Sequence, residues 1–151
     1  MTKVSMPVHQ SQSQSQHDKG NIMASEYSTY LQNAIINATL RNTAYTSPAV
    51  VYVALSTTTI TAGGSITEIS GGSYARQAVT LAAPSSGAAA SNANVTFPTA
   101  TTTWGTITDI GIYDASTGGN LLYFTPLTVS KTITSGDIFQ ISTGNLTVSL
   151  A

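Results

Sequence analysis

Over residues 104–127 the hydrophobic and polar positions sort into strand, turn and strand. Residues 106–113 alternate with the two-residue period of an extended chain, which puts Ile107 and Asp109 on one face and Thr106, Thr108, Ile110 and Ile112 on the other. The segment Asp114-Ala-Ser-Thr-Gly-Gly-Asn120 has turn composition, and Leu121-Leu-Tyr-Phe124 resumes the apolar run. The stretch therefore predicts a β-hairpin.

Similar signals fill most of the chain. Residues 49–55 form a continuous apolar run of strand length, which predicts a central strand buried on both sides. Residues 56–73 read as a polar loop punctuated by Gly63-Gly64 and Gly71-Gly72. Residues 74–82 alternate, with Ala75, Gln77, Val79 and Leu81 on one side and Arg76, Ala78 and Thr80 on the other. Further strands are predicted over 93–97, 127–133, 138–142 and 146–150, separated by Pro84-Ser-Ser-Gly87, Pro98, Ser135-Gly-Asp137 and Thr143-Gly-Asn145. About eight short strands at this spacing suit a sandwich or jelly roll. No helix lies between them, which argues against a parallel sheet, and there is no solenoid-type repeat.

One helix precedes the strands, over about 27–41. Ser25 or Ser28 can cap it, and Tyr27, Leu31, Ala34 with Ile35, and Ala38 recur at spacings of three and four. Glu26 and Arg41 suit the two ends of its dipole, Asn42 is a stop, and Pro48 forbids continuation. Its apolar face is expected to plug one end of the sandwich, being too short and too weakly charged for a membrane surface. The expected fold is mainly β: a single antiparallel β-sandwich, jelly-roll-like, over residues 25–151, with this short N-terminal helix and strands over about 49–150.

Residues 1–24 differ from the rest. Gln10-Ser-Gln-Ser-Gln-Ser-Gln16 is low-complexity, so the segment is expected to be either a flexible tail or an arm ordered by a neighbouring subunit. Met23 also reads as an internal start, which would make the first 22 residues a tag or an upstream extension.

Composition narrows the function. Charged residues are 7% of the 151, against about 25% in an ordinary soluble domain, and Ser and Thr make up roughly three residues in ten. A surface of hydroxyls and amides repels its neighbours only weakly, as suits a protein that packs against copies of itself or on a larger assembly. High Thr content equally reflects strand preference. The net charge is −1, and Lys3, Lys19, Arg41, Arg76 and Lys131 are scattered, so nucleic-acid binding lacks its basic stripe. Cysteine is absent, which excludes disulfides and thiolate chemistry and fits a reducing cytoplasm. No apolar run of about 18 residues and no export signal is present, so a soluble chain with no membrane partner is expected.

Catalytic chemistry finds little footing. The two histidines, His9 and His17, are both in the tail, which leaves the body without imidazole for a Ser-His pair or a metal. The carboxylates after the helix are Glu68, Asp109, Asp114 and Asp137. Asp114 and Asp137 are expected to bond turn backbone. Asp109 is left open between a pair with Arg76 or Lys131 and a solvated or subunit-contacting face. The 114–120 turn offers too few charges for calcium, and neither Gly-Gly pair precedes a helix or lysine as a phosphate loop requires. Trp104, the only tryptophan, is expected to cover an open end of the core; sugar stacking with Tyr113, Tyr123 or Phe124 is the alternative. The sequons at Asn37, Asn94 and Asn145 read as coincidences of a Thr-rich chain. No catalytic, cofactor-binding or metal residue is assigned, and no cofactor is expected.

The ordered set Tyr30-Leu-Gln-Asn-Ala34, Arg41-Asn-Thr-Ala-Tyr45, Val51-Tyr-Val-Ala-Leu-Ser56, Gly71-Gly-Ser-Tyr-Ala-Arg-Gln77, Phe97-Pro98, Trp104-Gly105, Gly111 to Tyr123 and Lys131 to Asp137 resembles a family of small structural proteins of tailed bacteriophages, often labelled tail-fibre-like. The resemblance spans roughly residues 27–151. It implies a non-enzymatic virion protein, assembled in the host bacterial cytoplasm. The leading expectation is a capsid decoration or cement protein, a homotrimer whose partners are itself and the major capsid protein or other virion proteins. The alternative is a tail or fibre component that binds host surface carbohydrate. A single sandwich without a repeat does not make a long fibre shaft.

Overall fold

The computed structural model describes residues 22–24 and 26–150, with side chains from residue 26 onward. Of the expected arm over residues 1–24, residues 1–21, with His9 and His17, lie outside the described residues, and residues 22–24 form the first strand. The chain runs through β1 (Ile22–Ala24), β2 (Glu26–Tyr27), helix α1 (Thr29–Leu40), β3 (Val51–Ser56), β4 (Gln77–Val79) and β5 (Ala88–Ala90). It continues through β6 (Val95–Thr96), β7 (Gly105–Tyr113), β8 (Leu121–Ile133), β9 (Gln140–Ile141) and β10 (Leu146–Ser149). The main sheet has the order β2-β8-β7-β3-β4, and every neighbouring pair in it is antiparallel. A three-stranded sheet, β1-β10-β5, and the pair β6-β9 complete the β-structure. The fold is mainly β and sandwich-like, with one short helix. Among the described strands β1 and β10 alone pair in parallel, which is open to them because they come from opposite ends of the body.

The principal core lies between the layers. Val53 and Leu55 of β3, Ile107, Ile110 and Ile112 of β7 and Ile133 of β8 meet Val95, Ile141, Leu146 and Val148 from the smaller sheets. The outer face of the main sheet carries a second, smaller core. Ala54, Tyr113, Leu121 and Phe124 are covered there by Ile60, with Ala62 and Ile66 packed alongside. The segment expected to be a plain polar loop therefore folds back as a lid, and β3 is buried on both faces as its apolar run predicts.

Strict alternation fails in the central hairpin at two bulges. Ile107 pairs with Lys131 but Asp109 with Pro126, so Thr108 alone stands opposite residues 127–130. The irregularity flips the parity of the strand, and Ile107 joins Ile110 and Ile112 in the principal core instead of opposing them. It also thrusts Val129 outward, 78% exposed. A second shift, with Ile112 opposite Tyr123 and Tyr113 opposite Leu121, puts Leu121 and Phe124 in the same small core. Gly111 of β7 is closely packed: a Cβ there would stand 2.8 Å from Leu121 Cδ1, so a larger residue would force that side chain to shift.

Helix α1 differs most from its expectation. Its N-cap is Ser28, whose Oγ accepts from Leu31 N at 3.1 Å and donates to the Leu121 carbonyl. Glu26 is not in its first turn but in β2, opposite Phe124. Asn42 ends it with φ of 52°, a left-handed conformation that asparagine tolerates. Of its side chains only Leu31 is buried. Ile35 is 37%, Ile36 51% and Leu40 80% exposed, so the helix lies against β8 without plugging the sandwich. Its N-terminus holds it: Ser28 N donates to Leu122 O at 2.9 Å and Thr29 N to Ala62 O at 2.7 Å.

Candidate functional site

The carboxylates do not converge. Asp114 closes the hairpin turn, its Oδ1 accepting from Asn120 N at 2.6 Å and its Oδ2 from Asn120 Nδ2 at 2.8 Å. Gly119 makes that turn possible: its φ is 71°, and a Cβ would stand 2.7 Å from Ala115 Cβ. Asp137 accepts from both Thr134 N and Thr134 Oγ1 at 2.8 Å, and those bonds hold its pKa below the ordinary value. Both turn roles are as the sequence predicts. Asp109 is neither solvated nor paired with Arg76 or Lys131. It is 2% exposed, and its Oδ2 accepts from Ile60 N at 3.1 Å, anchoring the lid over the second core. Among the described residues no group of three acidic or histidine side chains is placed to hold a metal.

Trp104 is 6% exposed and covers the core as expected. Its Nε1 donates to Gly72 O at 2.9 Å, and its ring meets Tyr74 edge-on at 5.5 Å. Tyr113 and Phe124 are buried and Tyr123 half-buried, so these rings do not form a stacking platform around Trp104.

The charged network that exists joins residues that sequence spacing does not bring together. Arg76 Nε and Nη2 each meet a Glu68 carboxylate oxygen at 2.7 Å, and Nη1 donates to Ala115 O at 2.9 Å and Gly118 O at 2.8 Å. The guanidinium also sits 3.8 Å above the Tyr113 ring centroid. Burial works to lower the Arg76 pKa, but the bond and charge of Glu68 outweigh it and raise the value. Tyr74 Oη donates to Glu68 Oε1 at 2.9 Å and accepts from Leu55 N at 2.9 Å. This network ties the 68–76 segment, β3 and the hairpin turn into one body. Its bonds hold the fold there, while Glu68, Tyr74 and Arg76 also line an open groove of about 300 Å³ with Ser116, Thr117 and Gly118.

Two surface features lie along helix α1. One is the outward apolar face of α1, where Ile36 and Leu40 stand one turn apart. The other is a groove of about 490 Å³ bordering the same helix, lined by Tyr30, Asn33, Asn37, Thr43, Tyr45 and Thr46 among others. Tyr30 also borders a second groove, of about 260 Å³, that reaches Gly63-Gly64 and Gly119-Asn120. The groove escaped the sequence reading because its walls come from a helix assumed to be core-facing and from a segment with no strand or turn signal.

No curated protein matches the chain. A family model does, across the folded body: the family described as Podophage GP4 fiber I protein gp80 matches residues 26–149, so the chain belongs to that family and is a structural component of a bacteriophage virion.

Proposed function

We propose that the chain is a non-enzymatic fibre subunit that attaches to the virion by self-association and by contact with other virion proteins. The family match over residues 26–149 carries this reading, because its description names a fibre protein and it spans the body from β2 to β10. The surface supports it: a chain with 7% charged residues presents Ile36, Leu40 and Val129 to solvent, which favours packing over solvation. The arrangement of side chains supports a structural role, since Glu68, Asp114 and Asp137 are each engaged in holding loops.

Capsid decoration is the rival placement. The hydroxyl-rich surface and a polar segment ahead of β1 suit a protein that grips a neighbour on a shell equally well. Labelling intact particles with gold-tagged antibody fragments against the folded body separates the two. Fibre membership puts label at the tail or at fibres, whereas label spread over the capsid facets returns the decoration reading. Removing residues 1–21 leaves β1 in place and tests the arm: lower occupancy on particles is expected, and unchanged occupancy removes the arm from the attachment.

A further inference from the structure

The lid over the second core has the geometry of a part that moves as a unit. Its ends meet at a closed neck, where Ser56 bridges to Glu68 and Thr57 N donates to Thr67 O at 3.1 Å. Residues 57–67 thus match the compact surface loops of about 6–16 residues whose ends lie together. The neck is fixed to the body, since Arg76 and Tyr74 both bond Glu68. Three contacts hold the lid down beyond the neck. Ile60 is the one buried side chain of the segment, 3% exposed in the second core. Ile60 N donates to Asp109 Oδ2 at 3.1 Å, and Ala62 O accepts from Thr29 N at 2.7 Å. The tip stands clear of the body: a Cβ on Gly64 would meet nothing within 4 Å, and a groove of about 260 Å³ opens between the tip, Tyr30 and Asn120.

The contact at Ala62 joins two weakly held elements. Thr29 is the first residue of α1, where a helix offers its N–H no acceptor of its own, and the lid supplies one. The helix buries Leu31 alone and the lid buries Ile60 alone, and elements with so few buried apolar contacts open ahead of the whole fold. We infer that α1 and the lid form one latch: they open together, and their opening bares Tyr113, Leu121 and Phe124 while the sandwich stays closed. The Thr29–Ala62 bond exists only when both elements are seated, so each stabilises the closed position of the other by the same factor. Beneath the lid lie two aromatic rings and a leucine, a surface suited to packing against other apolar groups. The position of α1 therefore sets whether that surface is available. A partner that grips Ile36 and Leu40 acts on it without touching it, a consequence that rests on the attachment role of α1, whereas the latch itself does not.

Thr29→Pro removes the shared bond alone. Proline is favoured at the first position of a helix, and Ser28 has the extended conformation, φ −64° and ψ 156°, that a residue before proline prefers. Ala34→Gly loosens α1 from its middle, by about fivefold for glycine in place of alanine. Hydrogen exchange followed by NMR on the full chain reads the lid at the Ile60 amide, the helix at residues 33–40 and the sandwich at β7 and β8. Ala34→Gly should speed exchange at α1 and at Ile60 by about the same factor, with β7 and β8 unchanged. In the Thr29→Pro background the rise at α1 should persist and Ile60 should no longer follow it. Ser28→Ala, which loosens the same helix at its cap, gives a second reading of the same comparison. An Ile60 amide unmoved by both helix variants, one that follows α1 equally in both backgrounds, or one that exchanges only with β7 would each overturn the latch.

Discussion

At the scale of single residues, Arg76 holds the largest share of the polar architecture. Its side chain is 7% exposed and that of Glu68 24%, so the pair is partly screened and its Coulomb energy alone is a poor measure of its worth. What matters is the number of groups orphaned when it goes: a carboxylate, two turn carbonyls and the face of Tyr113. Arg76→Ala should cost about 2–4 kcal/mol in chemical denaturation and lower the melting temperature by about 5–10 °C. Arg76→Lys should recover only part of this, because an ammonium cannot reach the carboxylate and both carbonyls at once. Tyr74 gives a prediction in pH. Burial raises its pKa above the ordinary 10.0, so the folded state favours the protonated phenol. That contribution is complete below about pH 10 and fades as the pH climbs towards the folded value. Tyr74→Phe removes the acceptor for Leu55 N and should cost about 1–3 kcal/mol at neutral pH. Its denaturation free energy should then fall less steeply than the parent's above about pH 10, and parallel curves would refute the linkage.

At the scale of elements, the hairpin and β3 were legible because apolar runs, the glycine-rich turn and strand length all agree there. The error inside the hairpin has a definite cause. A period of two assigns faces only while pairing stays regular, and the bulge at Thr108 is set by the partner strand, four residues of which stand opposite it. One shift misplaced Ile107, and it hid the real environment of Asp109. The Glu68–Arg76 pair was equally out of reach, because it depends on how the 56–73 segment folds back over the sheet. Helix α1 was placed correctly by its caps, but its partner was not, since Leu31 is the single point at which it is buried. A helix held mainly at its N-terminus should open before the sandwich does. Ser28→Ala removes the cap and the bond to Leu121 O, at a cost of about 1–2 kcal/mol. In hydrogen exchange, residues 29–40 should lose protection while β7 and β8 keep theirs; equal loss in all three would mean that the helix is integral to the core.

At the scale of the whole molecule, the packed body and the exposed helix face divide the chain's tasks. The sandwich is complete without Ile36 and Leu40, which lie on the far side of α1 from Leu31 and contribute nothing to either core. Apolar side chains so placed stabilise only what they are buried against, at about 25 cal/mol per Å² covered. If that cover is a second copy of the chain, Ile36→Ser with Leu40→Ser should leave the unfolding of the monomer within about 0.5 kcal/mol of the parent, as surface changes do. The same double variant should sediment at the 15.6 kDa of one chain over concentrations at which the parent is larger. A parent that is itself monomeric throughout would remove self-association from the proposed function and leave another virion protein as the partner of the helix.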